Sequence, residues 1–185
     1  MSAAFLKDIE DRMKKTLTSL DAAFARIRTG RAHPGILDSV QVNYYGSMAP
    51  ISQVANVIVE DARTLTIAPW EKKMIVEIEK AIQKSDLGLN PSNNGDVIRV
   101  PMPALTEQTR KEYTKQAKAE AEHARVAVRN IRRDANTHYK EELKAKKISE
   151  DEERRAEQSI QKLTDNYIAQ IDKKYADKEK DLLSM

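Results

Sequence analysis

Lys146-Lys147-Ile148-Ser149-Glu150-Asp151-Glu152 joins two long amphipathic stretches. Ser149 followed three residues later by Glu152 is a capping box, in which hydroxyl and carboxylate each satisfy a free N–H at a helix start. Downstream, Ala156, Ile160, Leu163, Tyr167, Ile171, Tyr175 and Leu182 recur at helical spacing and share one face. Upstream, Tyr113, Ala117, Ala121, Ala124, Val128, Ile131, Ala135, Tyr139 and Leu143 make a second stripe, in a helix expected to run to about Lys147 and to be capped at Thr106. So short a connection makes the two helices antiparallel neighbours. A third stripe, Leu6, Ile9, Met13, Leu17, Leu20, Phe24 and Ile27, lies near the N-terminus, with Gly30 where a helix-ending residue would sit.

A lone helix cannot cover its own apolar face, so three such stripes predict a three-helix bundle. The first helix must reach its partners across a long interruption. All five glycines and all six prolines lie between Gly30 and Pro103. That window holds short alternating or β-branched runs (Val40 to Tyr44, Val54 to Val59, Thr64 to Ile67, Val97 to Val100) and one amphipathic run from Glu71 to Lys84. The predicted class is α+β. Residues 1–30 and 105–185 form an elongated three-helix bundle, and residues 31–104 form a small β/α/β domain inserted between its first and second helices.

Composition removes several function classes. There is no cysteine, hence no disulfide, thiolate metal site or thiol nucleophile. No apolar run approaches a membrane span, and the start lacks a signal core, so the expectation is a soluble, cytoplasmic protein with no membrane partner. His33, His123 and His138 do not form a metal-ligand pattern. Gly88 and Gly95 have the wrong spacing for a phosphate-cradling loop. Glu150 to Glu153 read as acids complementing a helix N-terminus, and Trp70 as core or an edge of the small domain. No nucleophile, base and orienting group assemble. The expectation is a binding protein with no catalytic residue, metal or cofactor.

The net charge of +3 is unevenly distributed. Residues 105–148 carry twelve cations against seven acids, whereas residues 149–185 carry seven against ten. Within the basic helix, Arg125-Val126-Ala127-Val128-Arg129-Asn130-Ile131-Arg132-Arg133 has four arginines and no acid. At 100° per residue Arg125, Arg129 and Arg132 share a face, with Arg133 on its shoulder, pointing away from the apolar stripe. All four are expected to project from the bundle, with Lys111, Lys115 and Lys118 extending the line. One reading is a solvated face with intrahelical pairs such as Glu122–Arg125 or Arg129–Asp134. Against it, arginine rather than lysine suits phosphate oxygens and base stacking, which points to a polyanion such as structured RNA. A helical adaptor would explain the stripes but leave this face idle. An esterase acting on peptidyl-tRNA would need a catalytic constellation.

Six stretches in order resemble one family: Arg28-Thr29-Gly30-Arg31-Ala32, Tyr44-Tyr45-Gly46, Ser85-Asp86-Leu87-Gly88-Leu89-Asn90-Pro91, Ile98-Arg99-Val100-Pro101, Val126 to Asp134, and Ser149-Glu150-Asp151-Glu152. Together they are similar to the ribosome recycling factor family. The resemblance implies a three-helix bundle and inserted β/α/β domain arranged as an L about the size of a transfer RNA. It implies a monomer that binds the post-termination ribosome through large-subunit ribosomal RNA and splits the subunits with elongation factor G and its GTP hydrolysis. Carried onto this chain, it places Arg110, Arg129 and Arg132 at RNA-contact positions. Arg125 and Arg133 join them from helical phase. Thr109 stands where the family often has a further arginine. The chain crossings between domains make Gly30, Arg31, Pro103 and Ala104 the expected hinge.

Overall fold

The computed structural model describes residues 3–184. They divide into two compact units, one of residues 3–27 with Glu107–Ser184, the other Arg28–Thr106.

The first unit is a three-helix bundle of α1 (Ala3–Ala25), α3 (Glu107–Lys144) and α4 (Glu150–Leu183). Its core is built from the expected stripes: Ile9, Met13, Leu17, Leu20 and Phe24 from α1, Ala117 through Tyr139 from α3, and Ala156, Ile160, Tyr167, Ile171 and Leu182 from α4. Leu163 and Tyr175 are only partly covered. Thr164 is buried in its own right, because its hydroxyl donates to Ile160 O at 2.7 Å and so carries no unmet polar group into the core.

Three helix ends differ from the sequence expectation. The first helix stops at Ala25, not Gly30: Arg26 and Ile27 close it with tighter bonds to Ala23 O and Phe24 O. Gly30, at φ 78°, forms a separate turn further on. The middle helix ends at Lys144, three residues early. There Lys147 N donates to Glu142 O and Lys146 N to Leu143 O, with Lys146 at φ 57°, which is a Schellman closure made without glycine. In the second unit α2 (Met74–Lys84) starts three residues after Glu71, whose carbonyl accepts from Met74 N in a preceding turn. The Ser149 capping box forms as the spacing predicts, both reciprocal bonds being present.

The second unit holds two sheets. β1 (Gln41–Tyr44) and β2 (Ser47–Pro50) form a hairpin whose turn residues Tyr45 and Gly46 both take positive φ, the geometry that matches strand twist. The larger antiparallel sheet has the order β3 (Ala55–Asp61), β4 (Thr64–Pro69), β6 (Ile98–Pro101), β5 (Ser92–Asn93). β2 and β5 were not apparent from sequence, since Ser47-Met48-Ala49-Pro50 and Ser92-Asn93 are too short and polar to show alternation. Ile78 and Ile82 of α2 share a core with Leu65, Ile67, Ile98 and Val100. Trp70 is not in that core; it is 68% exposed.

Candidate nucleic-acid interface

α3 is the scaffold of the arginine run. Its small residues Ala117, Ala121, Ala124 and Ala135 are buried, which turns the long polar side chains to the outside. The four arginines then separate by environment. Arg125 does not project: its side chain is 19% exposed, and its Nε donates to Asp172 Oδ1 on α4 at 2.8 Å while Nη1 donates to Glu122 Oε2 at 3.1 Å. Burial opposes its charge, but the bonds to Asp172 and Glu122 outweigh that, and the guanidinium holds its proton more tightly than usual. The reason for the departure lies on α4, whose acidic surface meets the flank of α3.

Arg129 is more open and reaches Glu122 Oε1 at 3.6 Å, not Asp134. Asp134 is taken by Arg12 of α1 at 3.0 Å. Arg132 makes one long contact, 3.5 Å to Gln161 Oε1, and Arg133 donates to the neutral Asn130 Oδ1 at 3.0 Å. Neither Arg132 nor Arg133 has a carboxylate within ion-pair distance among the described residues. Val126, 45% exposed, lies among them as an apolar contact surface. Further along α3, Lys111 pairs with Glu107 at 3.1 Å, and Lys115 and Lys118 are exposed. Arg110 is half-buried, its Nε covered and without a hydrogen-bond partner. The result is a basic strip on one helix, strongest in unneutralised charge at Arg132 and Arg133. Such a strip suits phosphate oxygens, because guanidinium groups lose little when a phosphate replaces water or an amide oxygen.

Gly30 is buried, whereas Arg31, Pro103 and Ala104 are exposed. Arg31 N donates to Thr29 Oγ1 at 3.4 Å. Both chain crossings are fastened to one turn: Ala32 N donates to Ala62 O at 2.8 Å and Met102 N to Arg63 O at 2.6 Å. Asp61 shapes that turn, its Oδ1 accepting from Arg63 N, which holds the carboxyl below its usual range.

The remaining polar clusters have local explanations. His33 Nδ1 accepts from Gly35 N, and His138 stacks on Phe5 at 4.0 Å. No group of His, Asp and Glu among the described residues has the arrangement of a metal site. Nor is any helix there long and apolar enough to cross a membrane. Sequence reasoning missed a cluster around Glu71, where Tyr45 OH donates at 2.8 Å, Tyr44 OH at 3.1 Å, and Lys73 lies 3.4 Å away and over the Tyr45 ring. The Tyr44-Tyr45-Gly46 turn was its visible trace, but the carboxylate it surrounds is 26 residues further on.

Comparison with known proteins bears on the same features. The family model described as "Ribosome recycling factor" matches residues 20–183. The ribosome-recycling factor of Marinomonas sp. is 64% identical over 180 residues, 97% of each chain. That of Hahella chejuensis is 63% identical over 179 residues, again 97% of each. A solution structure of the ribosome recycling factor superposes with a TM-score of 0.76 at 40% identity, covering 97% of this chain and 95% of that one. A second structure, described as the T. thermophilus ribosome recycling factor and the E. coli elongation factor G bound to the E. coli post-termination complex, gives a TM-score of 0.66 at 44% identity over 96% of both chains. With the family model spanning both the bundle helices and the inserted sheet, this chain belongs to the ribosome recycling factor family.

Proposed function

We propose that this chain binds the post-termination ribosome through large-subunit ribosomal RNA, acts there with elongation factor G and its GTP hydrolysis to split the subunits, and so frees mRNA for a new round of translation. One observation carries the proposal: a structural neighbour 44% identical over 96% of the chain is described on a post-termination complex beside elongation factor G. The basic strip of α3 supplies the means of docking. Arg129, Arg132 and Arg133 meet the RNA phosphates, Arg110 extends the contact toward the helix start, and Arg125 contributes mainly by fixing α3 against α4. The protein works as a cytoplasmic monomer with no nucleotide or catalytic site of its own. The free energy for splitting comes from the GTPase, and the segments around Gly30-Arg31 and Pro103-Ala104 serve as the hinge between the units.

The test is light scattering of 70S complexes carrying mRNA and deacylated tRNA. Scattering should fall only when this protein, elongation factor G and GTP are all present. Equal dissociation without elongation factor G, or with a non-hydrolysable GTP analogue, would sink the proposal.

A further inference from the structure

Two consecutive residues in the first chain crossing are held by opposite units. The carbonyl of Ile27, just past the end of α1, accepts from Lys178 Nζ of α4 at 2.7 Å. Ile27 and Lys178 both belong to the bundle unit. The side chain of the next residue, Arg28, donates through Nη1 to Leu87 O at 2.8 Å, and both of these belong to the other unit. Lys178 is half-buried, and desolvation draws its amine below the ordinary lysine range. An ammonium taken partly out of water keeps a single carbonyl partner more firmly than an exposed one does. It also stands at a helix C-terminus, where a cation is favoured by the free carbonyls.

The chain beyond Arg28 is fastened as well. Gly30 is buried at φ 78°, a conformation glycine adopts without strain, and Ala32 N is bonded to Ala62 O. Residues 28 to 32 are therefore part of the inserted unit, and what lies between the two grips is the planar Ile27–Arg28 peptide, the rotation about the Arg28 N–Cα bond and the side-chain torsions through which the Arg28 guanidinium reaches Leu87 O.

We propose that Lys178 and Arg28 are positioning residues that confine the pivot of the first crossing to the Ile27–Arg28 junction, upstream of Gly30. A pivot confined to one junction passes a push from one unit to the other without slack. Freed at either grip, the crossing becomes a flexible tether. This moves the first-crossing hinge of the proposed function from Gly30-Arg31 to the Ile27–Arg28 junction, and it rests on that reading's need for a hinge between the units.

The absence of cysteine makes the test direct. Lys118→Cys on α3 and Lys84→Cys on α2 place one nitroxide on each unit, and pulsed electron resonance reads the distribution of distances between them. In an otherwise wild-type background the proposal expects that distribution to be narrow. Arg28→Ala frees about four residues in place of one, so the spread should grow roughly twofold, as the square root of the free length. Lys178→Met should also broaden it, and Lys178→Arg and Arg28→Lys, which keep a donor, should restore most of the narrowness. Circular dichroism and the melting temperature are measured for each; should Lys178→Met fail to fold, Lys178→Leu, which likewise has no donor, takes its place. In the splitting assay the same variants should lower the maximal rate while leaving the half-saturating concentration unchanged. Unchanged spread in both grip variants overturns the proposal, and so does broadening that the conservative variants fail to reverse. Wild-type protein that does not split ribosomes would instead count against the proposed function, leaving the distance measurement to decide the pivot.

Discussion

Arg125 of α3 and Asp172 of α4 are joined by a 2.8 Å ion pair on the flank where the basic helix meets the acidic one. The pair is partly shielded on the arginine side and open on the aspartate side, and Glu122 adds a second acceptor. It divides the arginine run into one residue that holds the bundle together and others that face outward.

Arg125→Ala should lower stability by about 1 kcal/mol, the scale of a partly exposed ion pair with good geometry. For a chain of this length that lowers the melting temperature by roughly 2–4 °C. Asp172→Asn should do nearly the same, and the double variant should cost less than the two single effects added, which thermal melts will show. Strict additivity would mean that the two side chains contribute independently.

Arg132→Ala should leave the melting temperature unchanged and weaken ribosome binding. Loss of one phosphate contact lowers the slope of log affinity against log salt by roughly 1. Co-sedimentation with ribosomes across a salt series measures this, and a slope equal to the wild type's would remove Arg132 from the docking surface.

Ser149→Ala removes the hydroxyl that accepts from Glu152 N. The expected loss is about 1 kcal/mol, as at other helix N-caps. Ser149→Asp, which keeps an acceptor, should recover most of it in urea titrations.

Tyr139 is 1% exposed, and its hydroxyl is buried with no hydrogen-bond partner, while burial raises its pKa. Its ring packs edge-on to Phe5 at 5.3 Å, a contact that a phenylalanine would keep. Tyr139→Phe should therefore stabilise the bundle, by about 0.5–1 kcal/mol, since the variant no longer desolvates a polar atom without return. A destabilised variant would show that the hydroxyl is satisfied in solution.

The carboxyl of Glu71 is held below its ordinary value, first by the Tyr45 hydroxyl, with burial opposing, then by Tyr44 and Lys73. Asp61 and Asp96 are lowered too, by Arg63 N and by Lys72 respectively. A carboxyl whose folded pKa is depressed contributes stability above its unfolded pKa and loses it as pH falls through the folded one. The inserted unit should thus weaken progressively below the ordinary glutamate value of 4.5. Glu71→Gln should flatten that acid dependence. Amide hydrogen exchange across α2 and the larger sheet, measured against pH, follows the opening of this unit.

What the sequence made legible follows from the range of the interactions involved. The apolar stripes and the Ser149–Glu152 box act within a few residues, so spacing alone reveals them. The Lys146 turn escaped notice because it takes a left-handed conformation without the glycine that usually announces one. Ser92-Asn93 becomes a strand only because β6 is there to pair with it. The fate of Arg125 depends on Asp172, 47 residues away, and that of Arg28 on Leu87, 59 away. Helical phase sets Arg125 on one face with Arg129 and Arg132, but phase gives a direction and not what stands in it.

The two carbonyls Ala62 O and Arg63 O, which hold Ala32 N and Met102 N, also bear on the order in which the chain folds. α1 must find α3 and α4 across the whole inserted segment, and closing so long a loop is entropically costly and slow. Once the inserted unit has formed, Ala32 and Met102 are stapled to neighbouring residues, and the effective loop between α1 and α3 shrinks to the few residues outside them. An insertion that forms before the bundle would therefore act as its internal template, bringing α1 close to the start of α3.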